Sequence, residues 1–132
     1  MEDKDLIAYA RDAREHAYAP YSRFKVGAAL LGRSGKVYTG CNVENASYPA
    51  GTCAERCAVG KAVSEGEREF TDIAVIGDSE GPCAPCGICR QVLSEFNPYM
   101  RVIMTNLRGD TRVCAVSELL PGAFAKTDLR DA

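Results

Sequence analysis

One histidine, His16, is all that the 132 residues contain, so a site for a soft metal in this chain has to be built mostly of cysteine. No run of Lys or Arg goes beyond isolated residues and the formal net charge is −2. That leaves no electrostatic footprint for a polyanion and argues against DNA or RNA as the substrate. No uninterrupted apolar segment reaches membrane length, and the opening Met1-Glu2-Asp3-Lys4-Asp5 is acidic. The expectation is therefore no signal peptide, no transmembrane helix and a cytoplasmic location. Repeats, linkers and low-complexity stretches are also absent. The length, with 46% hydrophobic and 26% charged residues, suits one globular domain over residues 1–132.

What the chain does have is seven cysteines. The number is odd, and Cys83, Cys86 and Cys89 follow one another as Cys-x-x-Cys-x-x-Cys, a spacing awkward for disulfides and natural for metal ligation. Cys53 stands 33 positions before Cys86, in Thr52-Cys53-Ala54-Glu55-Arg56-Cys57.

The coarse element order follows from periodicity and punctuation. Leu6, Ile7, Tyr9, Ala10, Ala13 and Ala17 predict a helix from Lys4 to Ala19, stopped by Pro20, with His16 at its surface or core edge. Phe24 to Leu31 and Val37 to Val43 read as a hairpin around Gly32-Arg33-Ser34-Gly35, with Phe24, Val26, Ala28 and Leu30 on one face. The polar loop Asn42 to Pro49 follows. Thr52 is placed to cap a helix from Cys53 to about Glu65. Asp72 to Ile76 is a strand, and a second helix runs from about Cys86 to Phe96 with Ile88, Val92, Leu93 and Phe96 inward. Strands at Arg101 to Thr105 and Thr111 to Val116, a helical turn at Ser117 to Leu120 and a short polar tail complete the chain. This order, αββαβαββ, implies an α/β layered domain.

Cysteine binds zinc as thiolate, and the predicted helix starts at Cys53 and Cys86 favour a negative sulfur through unpaired N–H groups and the helix dipole. Cys86 and Cys89 can bite one metal, with Cys53 the natural partner from the other helix start. Cys57 lies one turn further along and points into the packing. Cys83 could supply a fourth sulfur, which would make the site closed and structural. Glu55 has two readings. It is the far end of a Thr52-x-x-Glu55 capping box, or it is a carboxylate overhanging an open metal position, where it would accept protons.

The pair TCAERCAVGKAV and PCAPCGICRQVL resembles the zinc signature of the cytidine deaminase family, in the small form whose ligands are all cysteine. The resemblance extends through Tyr18 to Leu30, through Gly40-Cys41-Asn42-Val43-Glu44-Asn45-Ala46-Ser47-Tyr48, and to Glu118-Leu119-Leu120-Pro121-Gly122-Ala123-Phe124. It implies a three-layer α/β/α sandwich around a mixed five-stranded sheet. It implies one Zn²⁺ per chain on Cys53, Cys86 and Cys89, with Arg56 donating to the ligating sulfurs. It also implies hydrolytic deamination of cytidine and deoxycytidine to uridine and deoxyuridine in pyrimidine salvage, hydroxide on zinc attacking C4 while Glu55 shuttles protons. Asn42 and Glu44 would contact the ribose, Phe24 the pyrimidine and sugar, and the backbone N–H of Ala54 the pyrimidine O2. Phe124 would enter a neighbouring subunit's site in a homotetramer. Two rivals stand beside this reading: a deaminase of the same fold acting on another cytosine compound, and a non-enzymatic zinc module closed by Cys83.

Overall fold

The computed structural model describes residues 1–129; the end of the expected tail, Arg130 to Ala132, lies outside the described residues. The elements are α1 (Asp3–Arg14), β1 (Val26–Gly32), β2 (Val37–Cys41), α2 (Ala54–Ser64), β3 (Phe70–Gly77), α3 (Gly87–Phe96), β4 (Arg101–Asn106), β5 (Thr111–Ala115) and α4 (Val116–Leu119), with short 3₁₀ turns at Tyr48–Ala50 and Lys126–Leu129. The sheet order is β2-β1-β3-β4-β5. β1 is antiparallel to both β2 and β3, β3 runs parallel to β4, and β5 is antiparallel to β4. The expected mixed five-stranded sheet is therefore present. β3 and β4, buried on both faces, read as continuous apolar runs.

Two cores lie on opposite faces of this sheet. Leu6 and Ala10 of α1 pack on Ala29, Ala74, Ile76 and Ile103. Ala54, Ala58, Val59 and Ala62 of α2, Leu93 of α3 and Val116 of α4 pack on Ala28, Leu30, Ile73, Val75, Val102 and Met104. Truncating a wholly buried member such as Leu93 to alanine costs about 2–5 kcal/mol. Two glycines let the helices come close. A Cβ on Gly27 would stand 2.0 Å from the Ala10 carbonyl oxygen, and one on Gly40 2.4 Å from that of Ala54. Since Gly40 pairs with Ala28 and Gly27 with Cys41, the end of the hairpin is gripped from both faces.

Three expectations are corrected here. Helix α1 ends at Arg14 rather than Ala19, because Tyr18 is drawn into a bridge with Val43: its N–H donates to Asn42 O at 3.0 Å and its carbonyl accepts from Glu44 at 2.8 Å. The capping box at Thr52 does not form. Cys53 is the N-cap residue, with no side-chain cap bond, while Thr52 exchanges both backbone hydrogen bonds with Val43. Ile88 is 63% exposed, since the phase of α3 is set by its two buried residues, Cys89 and Leu93, while Val92 and Phe96 pack partly buried against the core as expected.

Candidate metal centre and active-site cleft

Both helix starts expected to carry sulfur do so. Cys53 is the N-cap of α2 and Cys86 the N-cap of α3, with Cys89 in the first turn of the latter. The three Sγ atoms lie within 4.8 Å of one another, and those of Cys53 and Cys86 are 3.8 Å apart. Tetrahedral zinc with bonds of about 2.3 Å sets its sulfurs about 3.8 Å from each other, so the donor set fits that ion in both chemistry and spacing. Cys57 and Cys83 are not in the cluster. The Cys83 thiol is turned away beside Gly77 and the Phe24 ring, and burial pushes it up to about 11. The four-cysteine closed site is not what the chain assembles.

The surroundings of Cys53 favour its thiolate form. A hydrogen bond from Cys89, joined by those from Arg56 and Cys86, holds its thiol down to about 5 against the opposing effect of burial. The Cys89 thiol is pushed up by its bond to Cys53 and by burial. Arg56 places Nη2 3.5 Å from Cys53 Sγ, while its buried Nε has no protein partner. Glu55, freed from the capping box, is 4% exposed. Burial is the first cause that pushes its carboxyl up to about 7, and the nearby Cys53 charge adds to it.

Beside the cluster opens a cleft of roughly 500 Å³, lined by residues that include Ser22, Asn42, Glu44, Tyr48, Cys53 and Arg56. Its rim carries Tyr21 and Tyr48, edge to face with ring centroids 6.2 Å apart. Asn42 accepts from Val26 N at 2.9 Å and donates to Phe24 O at 2.8 Å. Glu44 Oε1 accepts the N–H groups of Tyr21 and Ser22, both at 3.0 Å, and Oε2 accepts the Ser22 hydroxyl. These bonds hold the Glu44 carboxyl below the usual carboxylate range, the Ser22 side chain contributing most.

Phe24 stands just before β1 rather than inside the expected strand. It is 39% exposed, and its ring lies against Gly77, which the Cys83 thiol also approaches. The preceding residue, Arg23, takes the chain through the left-handed region with a φ of 60°, at about 1–2 kcal/mol for a residue with a Cβ. Ala54 is wholly buried at the start of α2. Phe124, 59% exposed, lies along α3, its carbonyl accepting from Gln91 Nε2 at 2.8 Å, so it does not meet Glu44 in the cleft. Tyr21, Ser22 and Tyr48 join the site without having been singled out by spacing. The quoted Tyr21-Ser22 and Ser47-Tyr48 segments were the only signal for them.

Comparison with known proteins points the same way. The profile of the cytidine and deoxycytidylate deaminase zinc-binding region matches residues 1–105. A cytidine deaminase of Sporosarcina psychrophila is 55% identical over 98% of this chain and 96% of its own, and one of Halalkalibacterium halodurans is 53% identical over 99% and 100%. The 1.6 Å crystal structure of cytidine deaminase from Burkholderia pseudomallei superposes with a TM-score of 0.92 at 54% identity, covering 94% of this chain and all of that one. With the family profile spanning most of the chain and relatives alike over nearly its whole length, the protein belongs to the cytidine deaminase family.

Proposed function

We propose that residues 1–132 form one cytidine deaminase domain that converts cytidine and deoxycytidine, with water, to uridine and deoxyuridine and ammonia, in pyrimidine salvage in the cytoplasm. The observation that supports this most is a buried carboxyl, Glu55, two residues from one corner of a three-sulfur cluster. Zinc, one per chain on Cys53, Cys86 and Cys89, supplies the Lewis acidity that makes water a nucleophile towards C4 of cytosine near neutral pH. Glu55 takes a proton from that water and gives it to N3, then carries the second to the departing amine, so that ammonia leaves and C4 becomes a carbonyl. A carboxyl pushed up to about 7 is suited to both directions of transfer.

Asn42 and Glu44 take the sugar hydroxyls, Phe24 packs against pyrimidine and sugar, and the Ala54 N–H donates to O2. Arg56 offsets the formal −1 of three thiolates on a divalent ion. The exposure of Phe124, away from its own chain's cleft, favours its insertion into a neighbouring subunit's site in a homotetramer. Neither nucleic acid nor membrane is a partner in this reading. Among the described residues no helix is long and apolar enough to cross a membrane.

The test is the ultraviolet absorbance of cytidine with wild-type and Glu55→Gln protein, alongside zinc content. Wild type should consume cytidine with one zinc per chain. Glu55→Gln should keep the zinc and lose roughly 10²- to 10⁴-fold in rate. Full turnover in zinc-loaded Glu55→Gln would overturn the reading.

A further inference from the structure

The turn Tyr21 to Phe24 is strained at Arg23, and five hydrogen bonds hold it in place. Arg23 N donates to Ala19 O at 2.9 Å, the N–H groups of Tyr21 and Ser22 converge on Glu44 Oε1, the Ser22 hydroxyl donates to Glu44 Oε2, and Phe24 N donates to Ser22 Oγ at 3.0 Å. The Ser22 hydroxyl thus sits between the residue read as the aromatic wall and the residue read as the sugar acceptor.

Counting lone pairs shows what this arrangement leaves for a ligand. An ionised carboxylate offers about four acceptor directions and no donor. Two N–H groups take both directions of Oε1 and the Ser22 hydroxyl takes one of Oε2, so a single direction on Glu44 remains. The hydroxyl has only one proton to give. With Phe24 N–H occupying one of its acceptor sites, the group has little freedom to turn away from Glu44.

We propose that Ser22 is the positioning residue for sugar recognition: by filling one lone pair of Glu44 Oε2 it aims the other at a sugar hydroxyl, and it sets how strongly the enzyme prefers a hydroxylated sugar. This rests on the reading of Glu44 as the sugar acceptor. Ser22 touches the base-hydrolysing groups nowhere in the hydrogen-bond network, so its effect falls on binding rather than on the chemical step.

The experiment compares kcat/KM for cytidine and for its 2′,3′-dideoxy analogue in zinc-loaded wild type, Ser22→Ala and Ser22→Thr. Wild type should prefer cytidine. Ser22→Ala should cut that preference on the order of 10-fold, the scale of one hydrogen bond to a charged group, through KM for cytidine, with the dideoxy substrate changed far less. Ser22→Thr, which keeps the hydroxyl, should restore it. A Ser22→Ala enzyme that retains the wild-type preference, or that loses both substrates by the same factor, overturns the role of Ser22 and leaves the function intact. Wild type with no preference between the two would overturn the assignment of Glu44, and the proposal with it.

Discussion

Arg56 is tied to Cys53 by a single contact, Nη2 to Sγ at 3.5 Å, while its Nε lies buried with no protein partner. Leaving a buried donor unpaired costs free energy, and the contact of Nη2 with the Cys53 sulfur is what stands against that cost. Arg56→Gln should leave melting near wild type and weaken zinc retention or turnover by about 10-fold or more. Chelator competition followed by zinc release reads this directly, and unchanged retention and turnover would make Arg56 a bystander.

Removing the metal should do more than stop catalysis. The ligands lie on α2 and α3, so zinc binds only the folded arrangement, and stability should rise by about 1.4 kcal/mol for each tenfold increase in free zinc above the dissociation constant. Thermal melts at stepped zinc concentrations would show it, and a melting point indifferent to zinc would count against the three-sulfur site.

Gly40 and Gly27 should separate the two faces of the sheet. An alanine at either meets helix backbone, at 2.4 Å and 2.0 Å respectively, and overpacking of this kind typically costs about 1–3 kcal/mol. Gly40→Ala presses on the start of α2, where Cys53 is presented, and should lower zinc retention as well as stability. Gly27→Ala presses on α1 and should lower stability alone. Paired melts and chelator titrations of the two variants test the distinction.

Glu44 links the cleft to pH. Its carboxyl is held below the ordinary value, first by Ser22. Its contribution to holding the Tyr21–Ser22 turn is therefore complete above the unfolded value of about 4.3 and lost as pH falls through the lower folded value. The backbone amide resonances of Tyr21 and Ser22 should titrate together with a midpoint below about 4.3. A midpoint at or above it would mean that the three hydrogen bonds to Glu44 are not maintained in solution.

How legible the protein was depends on how local each signal is. The sulfur cluster could be read because Cys-x-x-Cys and the helix starts are local patterns, and the strands because apolar runs are bounded by turn residues. The end of α1 could not, since Ala17 keeps the helical spacing while the backbone of Tyr18 is claimed by Asn42 and Glu44, more than twenty positions later. The cap at Thr52 failed for the same reason: its backbone is engaged by Val43. Ile88 misled because an apolar residue at helical spacing says nothing about which neighbour fixes the phase. Ser22 was invisible as a functional residue, because what gives it a role is a carboxylate 22 residues away.

The 3.8 Å between Cys53 and Cys86 Sγ also bears on how the protein must be handled. A disulfide needs about 2.05 Å, so a side-chain movement of under about 2 Å would join these thiols once nothing lies between them. Spacing that suits a metal thus leaves a stripped sample exposed to air: two thiols give up two protons and two electrons to dissolved oxygen, and the pocket is stapled shut. Metal-free stocks should lose their capacity to take up zinc during storage and regain it on treatment with a thiol reductant, so freshness and reductant become part of any activity measurement.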